Sequence, residues 1–94
     1  MELKEKIPVR SDKIASRIID GEAVIVVLDR QQTLVLNAVG SRIWEIIDGA
    51  KNIDSIVEAI TAEFDSTYGQ ALQDTSQFIE DLAQRGAVFL LESR

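Results

Sequence analysis

The apolar residues of this chain follow a strand pattern up to residue 37 and a helical pattern after it. Two short apolar stretches, Ile14 to Ile19 and Ala23 to Leu28, lie on either side of Asp20-Gly21-Glu22. Asp-Gly is a strong signal for a β-hairpin turn. The second stretch is mainly β-branched, which suits a middle strand covered on both faces or a strand near a helix layer. The pattern predicts an antiparallel hairpin.

A third strand is predicted at Thr33 to Leu36, after a polar turn over residues 29–32. Thr33 and Val35 would face one side of the sheet, and Leu34 and Leu36 the other. In a simple three-stranded meander this strand lies at the sheet edge, yet it carries no Lys, Pro or inward charge that would protect an edge. Either the tail, a loop or a dimer mate covers it, or it is open for a peptide to add as a further strand.

A short helix is predicted between Asn37, a good N-cap, and Gly49, the expected C′ residue. Gly40, in its first turn, is interpreted as permitting close packing against a neighbour. The helix carries apolar residues on more than one face, so we expect burial on several sides: Val39, Ile43, Trp44, Ile46 and Ile47. We interpret the aromatic residue among them as core rather than as part of a ligand pocket.

Two amphipathic helices are predicted after Gly49. The first begins at the N-cap Asn52 and carries its apolar residues at i, i+3, i+4, i+7 and i+11, namely Ile53, Ile56, Val57, Ile60 and Phe64. After a break over residues 65–69, the next helix spans about 70–84 and ends before the C′ residue Gly86. Its inward residues are Leu72, Thr75, Phe78, Ile79 and Leu82. Residues 87–91 predict a final short strand or extended tail.

These elements predict an α+β fold of the winged helix-turn-helix kind: an N-terminal three-stranded antiparallel meander, three helices and a short C-terminal apolar strand or tail. Residues 1–12 show no periodicity, and Pro8 bars a helix there, so we expect a flexible N-terminal segment. Residues 13–94 would form a single domain, since 94 residues leave no room for a second core.

Composition argues against an enzyme that acts alone. The chain has neither cysteine nor histidine, which removes thiolate chemistry, the commonest general base and the commonest zinc ligand. No cofactor, catalytic residue or metal site is predicted. The absence of cysteine fits a reducing compartment, and no apolar run is long enough to span a membrane, so the expected location is the cytoplasm.

The charge distribution disfavours nucleic-acid binding. Positive and negative side chains cancel over residues 1–47, so the net charge of −6 lies in the second half of the chain. A winged-helix DNA-binding regulator needs a basic recognition helix. The last predicted helix instead carries Asp74, Glu80 and Asp81, with no basic residue before Arg85.

Three groups of residues carry a resemblance to a known family. The first is Pro8-Val9-Arg10. The second is Leu36-Asn37, Gly40, Ile43-Trp44 and Asp48-Gly49, a strand end followed by a helix. The third is Asp74, Phe78-Ile79, Leu82 and Gly86, at the spacing D-x3-F-[LI]-x2-L-x3-G. In this order the chain, from Ile7 to Leu91, resembles the PqqD-like proteins, also called RiPP recognition elements. Ala87-Val88 departs from the family, which tends to have Leu after the last glycine.

The resemblance implies a peptide chaperone. Such domains bind the leader of a ribosomally synthesised precursor peptide by β-strand addition and present it to a modifying enzyme, often a radical SAM protein. Carried over, the peptide-binding residues are Thr33, Leu34, Val35 and Leu36 on the third strand, and Asp74, Thr75, Phe78 and Leu82 on the third helix. Pyrroloquinoline quinone (PQQ) synthesis is one of several pathways in which the family acts. The alternatives are a DNA-binding regulator and a structural subunit that dimerises through its edge strand; as a chaperone the protein would be a monomer or homodimer.

Overall fold

The computed structural model describes residues 2–92. In chain order, the elements after a 3-10 turn at Leu3–Glu5 are β1 (Ile7–Arg10), β2 (Ile14–Ile19), β3 (Glu22–Val27), β4 (Gln32–Val35), α1 (Ala38–Ile46), α2 (Ile53–Glu63), α3 (Tyr68–Gln84) and β5 (Val88–Leu91). The predicted α+β architecture is confirmed, with each predicted strand and helix within two residues of its expected position.

Strands β2, β3 and β4 form the predicted antiparallel meander, with β3 in the middle. The turn between β2 and β3 has φ of 51° at Asp20 and 82° at Gly21. Positive φ at both central residues defines a type I′ turn, whose twist matches that of the flanking strands. The predicted β-hairpin is therefore confirmed.

The N-terminal segment differs from the prediction. Residues 1–12 are predicted to form a flexible segment, but Ile7–Arg10 form β1, which pairs antiparallel with β5 in a second, two-stranded sheet. Pro8, opposite Leu90, is buried. Proline is tolerated in a two-stranded sheet because each strand has a free edge. The final apolar stretch is thus a strand, and its partner is β1.

The core lies between the meander and the three helices. Ala23, Ile25 and Val27 on the inner face of β3 are fully buried, whereas Val24 and Val26 on the other face are half-buried. Trp44 is 2% exposed, so its assignment to the core is confirmed. Val39, predicted to be buried on the same helix, is 38% exposed and is a correction to that prediction.

Side-chain caps determine where the helices begin. Asn37 accepts a hydrogen bond from the N–H of Gly40 (2.8 Å), and Asn52 accepts one from Ser55 (2.9 Å). Thr67 caps α3 in the same way, so this helix begins two residues before the predicted position. At its end, the N–H of Ala87 bonds to Leu82 O across Gly86 (φ 80°), as in a Schellman motif. Helix α1 ends at Ile46, earlier than expected, and Gly49 lies in the following turn.

Among residues 2–92, no helix is long and apolar enough to cross a membrane. In the same part of the chain, no group of three or more His, Cys, Asp or Glu side chains is placed to hold a metal ion.

Candidate functional site

A groove of about 640 Å³ lies where the end of β4 meets the three helices. It is defined by the residues that line it: Val35, Leu36, Asn37, Val39, Gly40, Ile43, Ile60, Phe64, Ser66, Ala71, Asp74, Thr75 and Phe78. Most of these side chains are apolar, and Asp74 is the only charged residue among them. The groove therefore suits an apolar ligand that also carries a polar or positive group.

Strand β4 forms one border of the groove and is an open sheet edge. The strand order is β2-β3-β4, and no other strand of residues 2–92 pairs with β4. The N–H of Leu36 donates to Ala23 O (2.9 Å), and Leu34 lies opposite Ile25. Because antiparallel pairs alternate, the backbone groups of Leu34 and Leu36 face β3. The N–H and C=O of Thr33 and Val35 consequently point away from the sheet and are available to another strand.

A hydroxyl group anchors the end of β4 to helix α1. Ser41 Oγ accepts a hydrogen bond from the N–H of Ala23 (2.7 Å) and donates one to Leu36 O (3.1 Å). The hydroxyl thus stands between the two strands, and its side chain is 2% exposed. Since α1 forms a wall of the groove, this bridge holds that wall in position relative to the open edge.

Two phenylalanine side chains and one valine form the apolar rim. Phe64 and Val39 are 39% and 38% exposed, and Phe78 is half-buried. A Cβ atom built on Gly40 would lie 3.2 Å from the Phe78 ring, so the glycine allows α1 and α3 to approach closely. The predicted close packing at Gly40 is confirmed, and its neighbour is the ring that lines the groove.

The one charged side chain that lines the groove, Asp74, lies on α3. Asp74 is exposed, and one of its carboxylate oxygens accepts a hydrogen bond from Gln70 Nε2 (3.0 Å). Its other oxygen makes no hydrogen bond to the described residues, and no basic side chain in that part of the chain lies within ion-pair distance. A positive or N–H-bearing group in the groove would meet an available acceptor there.

A hydrogen bond outside the groove joins the loop before β4 to the end of α3. Arg30, in the loop before β4, donates from Nη1 to Gln84 O at the end of α3 (2.6 Å). A guanidinium at this position satisfies a terminal carbonyl and complements the helix dipole. The contact connects the β4 hairpin to α3.

The structure brings together five of the eight residues predicted for the site. Val35, Leu36, Asp74, Thr75 and Phe78 all line the groove. Thr33 and Leu34 lie on β4 but outside the lining. Leu82 is 1% exposed and lies in the core outside the lining, and Thr75, although it lines the groove, is also 1% exposed, so neither offers appreciable surface to a ligand.

Sequence reasoning missed the contributions of α1 and α2 to this site. Val39 and Phe64 belong to apolar stripes and line the groove, although the pattern predicts them as core. Periodicity identifies the apolar face of a helix but not the point along that face where packing against other elements ends. One signal was available, since both lie at the end of their stripe: Val39 in the first turn of α1 and Phe64 directly after α2.

Comparisons with known proteins found one family model and similar solved structures. The family model described as Coenzyme PQQ synthesis protein D (PqqD) matches residues 22–88. The structure of TbiB1 in complex with the TbiA(beta) leader peptide is 34% identical, with a TM-score of 0.80, over 85% of this chain and 93% of that one. A lasso peptide synthetase B1 complexed with the leader peptide has a TM-score of 0.79 at 15% identity, over 87% of this chain and 96% of that one, which shows a shared fold. No curated protein sequence matches the chain.

Proposed function

This chain belongs to the PqqD family, and from that premise we propose that it binds the leader of a ribosomally synthesised precursor peptide and presents it to a modifying enzyme, such as a radical SAM protein. The observation that carries the proposal is the open edge of β4, which lies directly beside an apolar groove. An edge and a groove in this relation are what β-strand addition requires.

In the proposed complex, an extended leader pairs with the outward backbone groups of Thr33 and Val35. Backbone hydrogen bonds of this kind supply affinity with little dependence on sequence. Alternate leader side chains then point to opposite faces of the enlarged sheet. Those on the groove side meet Phe78 and the rim residues Val39 and Phe64, which select apolar side chains.

Charge adds a second preference. Asp74 is the one charged residue of the groove, and residues 48–94 carry the whole net charge of −6. A leader with Lys or Arg near this helix gains from complementary charge, whereas an acidic leader is repelled. We propose that basic leaders are preferred.

The domain contributes binding in this proposal, and the chemistry belongs to the partner enzyme. With neither histidine nor cysteine, the chain lacks the usual proton-transfer and thiolate groups. The absence of cysteine also fits the reducing cytoplasm, which we propose as the place of action. The DNA-binding alternative would require a basic surface on α3, but Asp74 and Glu80 are exposed there and Arg85 pairs with Asp81 (3.1 Å).

The test is a titration of the isotope-labelled protein with a candidate leader, followed by amide chemical shifts. We expect the largest shifts at Thr33 to Leu36 and along α3. Shifts confined to β1 or to the N-terminal residues would contradict the proposal. Shifts at β4 that depend on protein concentration without any peptide would instead identify a dimer through the edge strand.

A further inference from the structure

The meander has a second open edge, on the side opposite β4. Strand β2 pairs with β3 only, and no other strand in the described part of the chain lies against it. The N–H of Leu28 donates to Lys13 O (2.9 Å), so that pair is hydrogen-bonded and the pairs alternate from there. The backbone groups of Ser16 and Ile18 therefore point away from the sheet. Ile18 is 50% exposed, and nothing in this strand beyond one arginine protects the edge.

This edge borders a pocket of about 290 Å³, which Arg10 and Trp44 line. Arg10 lies over the indole ring of Trp44, with its guanidinium carbon 4.4 Å from the ring centroid. Its Nη2 donates to the carbonyl oxygen of Trp44. Ser16 and Ile18 line the pocket from the β2 side, together with Glu45 from α1.

The guanidinium of Arg10 is not fully paired. Its Nε–H is enclosed and has no hydrogen-bond acceptor among residues 2–92. Burial lowers the pKa of Arg10, and the field of Glu45 offsets this only in part. A donor without an acceptor is costly, and an acceptor that entered the pocket would remove the cost after a small shift of the side chain.

A carboxylate is the ligand that this chemistry favours. Arginine binds carboxylates with two parallel N–H bonds, which its planar fork fits better than a single carbonyl. Arg17 also borders the pocket, and no acidic side chain in the described ranges lies within ion-pair distance of it. Two arginines against Glu45 leave the pocket positive, in a chain that is negative overall.

We infer that the β2 edge is a second docking site, which binds an extended segment of a partner protein that places an Asp or Glu side chain beside Arg10. The segment pairs with the free backbone groups of Ser16 and Ile18, and its carboxylate enters the pocket. Because β2 and β4 flank β3 on opposite sides, a leader on β4 and this segment on β2 can be bound at the same time.

A second copy of this chain fits the edge poorly. Symmetric pairing of β2 with itself would bring the sequence IASRII against IASRII, whose only charged residue is Arg17; Asp12 and Asp20, the nearest acids in the chain, lie outside the strand. It would also bring the two Arg17 side chains near each other, and two chains of charge −6 repel. The partner is therefore a different protein with an acidic strand.

The probe is the blocked peptide acetyl-Thr-Val-Glu-Val-Thr-amide, compared with its Gln counterpart on the labelled protein. We expect amide shifts at Ser16 and Ile18 and a shift of the Arg10 Nε–H signal, at peptide concentrations up to about 5 mM, where complexes with Kd near 1 mM are populated. The Gln peptide should bind about fivefold more weakly, because it cannot form the charged pair. Equal binding of the two peptides, or no shift at β2, would overturn the inference.

Matched variants separate this edge from the other one. Ile18→Pro removes an outward N–H of β2 and should abolish the probe's effect, whereas Val35→Pro on β4 should leave it unchanged. Arg17→Gln, at an exposed position, should reduce the preference for the Glu peptide without loss of the fold. If Val35→Pro abolished the shifts and Ile18→Pro did not, the probe would be a ligand of β4. Shifts that appear at β2 on raising the protein concentration alone would indicate self-association and also overturn the inference.

Discussion

The Cβ atom that Gly40 lacks would lie 3.2 Å from both Cε1 and Cζ of Phe78. This spacing is tighter than an ordinary van der Waals contact. The Phe78 ring therefore fills the space that the side chain of any larger residue at position 40 would need. The two residues belong to different groups of the family-like sequence pattern, Gly40 in the first turn of α1 and Phe78 on α3. Their contact sets the width of the groove between these elements.

Gly40→Ala should weaken leader binding more than it weakens the fold. The added methyl would lie 3.2 Å from the Phe78 ring that lines the groove and 3.2 Å from Oδ1 of the helix cap Asn37, and crowding of this kind costs about 1–3 kcal/mol. Alanine recovers about 1 kcal/mol through its higher helix propensity, so the loss in free energy of unfolding should stay below about 2 kcal/mol. Calorimetric titration with a leader should show at least tenfold weaker binding, about 1.4 kcal/mol.

The matched control for this substitution is the double variant Gly40→Ala with Phe78→Leu. The smaller side chain relieves the contact with the ring, so Gly40→Ala should lower the free energy of unfolding less in the Phe78→Leu background than in the wild-type protein. If the loss in free energy of unfolding of the double variant equalled the sum of the losses in the two single variants, the residues would not share this space.

Val35→Pro should abolish leader binding while the domain stays folded. The N–H of Val35 points away from β3, so proline removes a bond to the leader and none within the meander. Leu34→Pro is the contrasting variant: its N–H faces β3, and the loss should destabilise the sheet itself. Circular dichroism and the amide titration distinguish the two. Normal leader binding by a folded Val35→Pro protein would exclude β4 as the docking edge.

Ser41→Ala should lower the free energy of unfolding by about 1–3 kcal/mol, because the N–H of Ala23 and the C=O of Leu36 would lose a buried partner. Denaturant unfolding measures this loss. Ser16→Ala serves as the control, since that serine is exposed and should change stability by less than about 0.5 kcal/mol. Equal effects at the two positions would contradict the bridging role of the Ser41 hydroxyl.

Trp44→Ala should destabilise the protein by about 3–5 kcal/mol, the range expected when a large buried aromatic side chain is removed. The variant also removes the ring on which the Arg10 guanidinium lies. Equilibrium unfolding in urea gives the value. A loss below about 1 kcal/mol would show that the indole contributes little to the core.

Asp74→Lys should weaken a basic leader more than a neutral one of the same length. Reversing the charge places a cation where the groove offers a carboxylate, so the difference should shrink as salt screens it. Asp74→Asn keeps the shape and should fall between the wild-type protein and the Lys variant. Identical losses for both leaders, independent of salt, would indicate a steric role instead.

Local sequence signals were sufficient for much of the meander and for the helices. The Asp20-Gly21 turn, the caps Asn37 and Asn52, and the apolar stripe of α2 each depend on residues near one another in the chain. Periods of 2 and 3.6 residues report the local backbone directly, which is why these elements lie close to their predicted bounds. The burial of Trp44 followed from the same pattern.

The candidate site was only partly accessible from the sequence. The sequence predicts the β4 edge and Phe78, which border the groove, but also Leu82, which lies in the core, and it predicts Val39 and Phe64 as core residues although they are exposed at the rim. An apolar stripe shows which face of a helix avoids water, yet its end becomes exposed or buried according to how far the neighbouring element extends. That distance is a property of the packed molecule.

The amino-acid sequence by itself determined the order and kind of the elements from β2 to α3, since each follows from neighbouring residues, whereas it left the last element open as a strand or a tail. Only the tertiary structure decided which strand edges remain open. Arg10 pairs with Val88 across nearly the whole chain, and this pairing takes the C-terminal strand to β1 and away from β4. Such long-range pairing depends on the free energy of the complete packing arrangement, to which no local pattern corresponds. The open edge on which the proposed function rests is therefore a consequence of the fold as a whole.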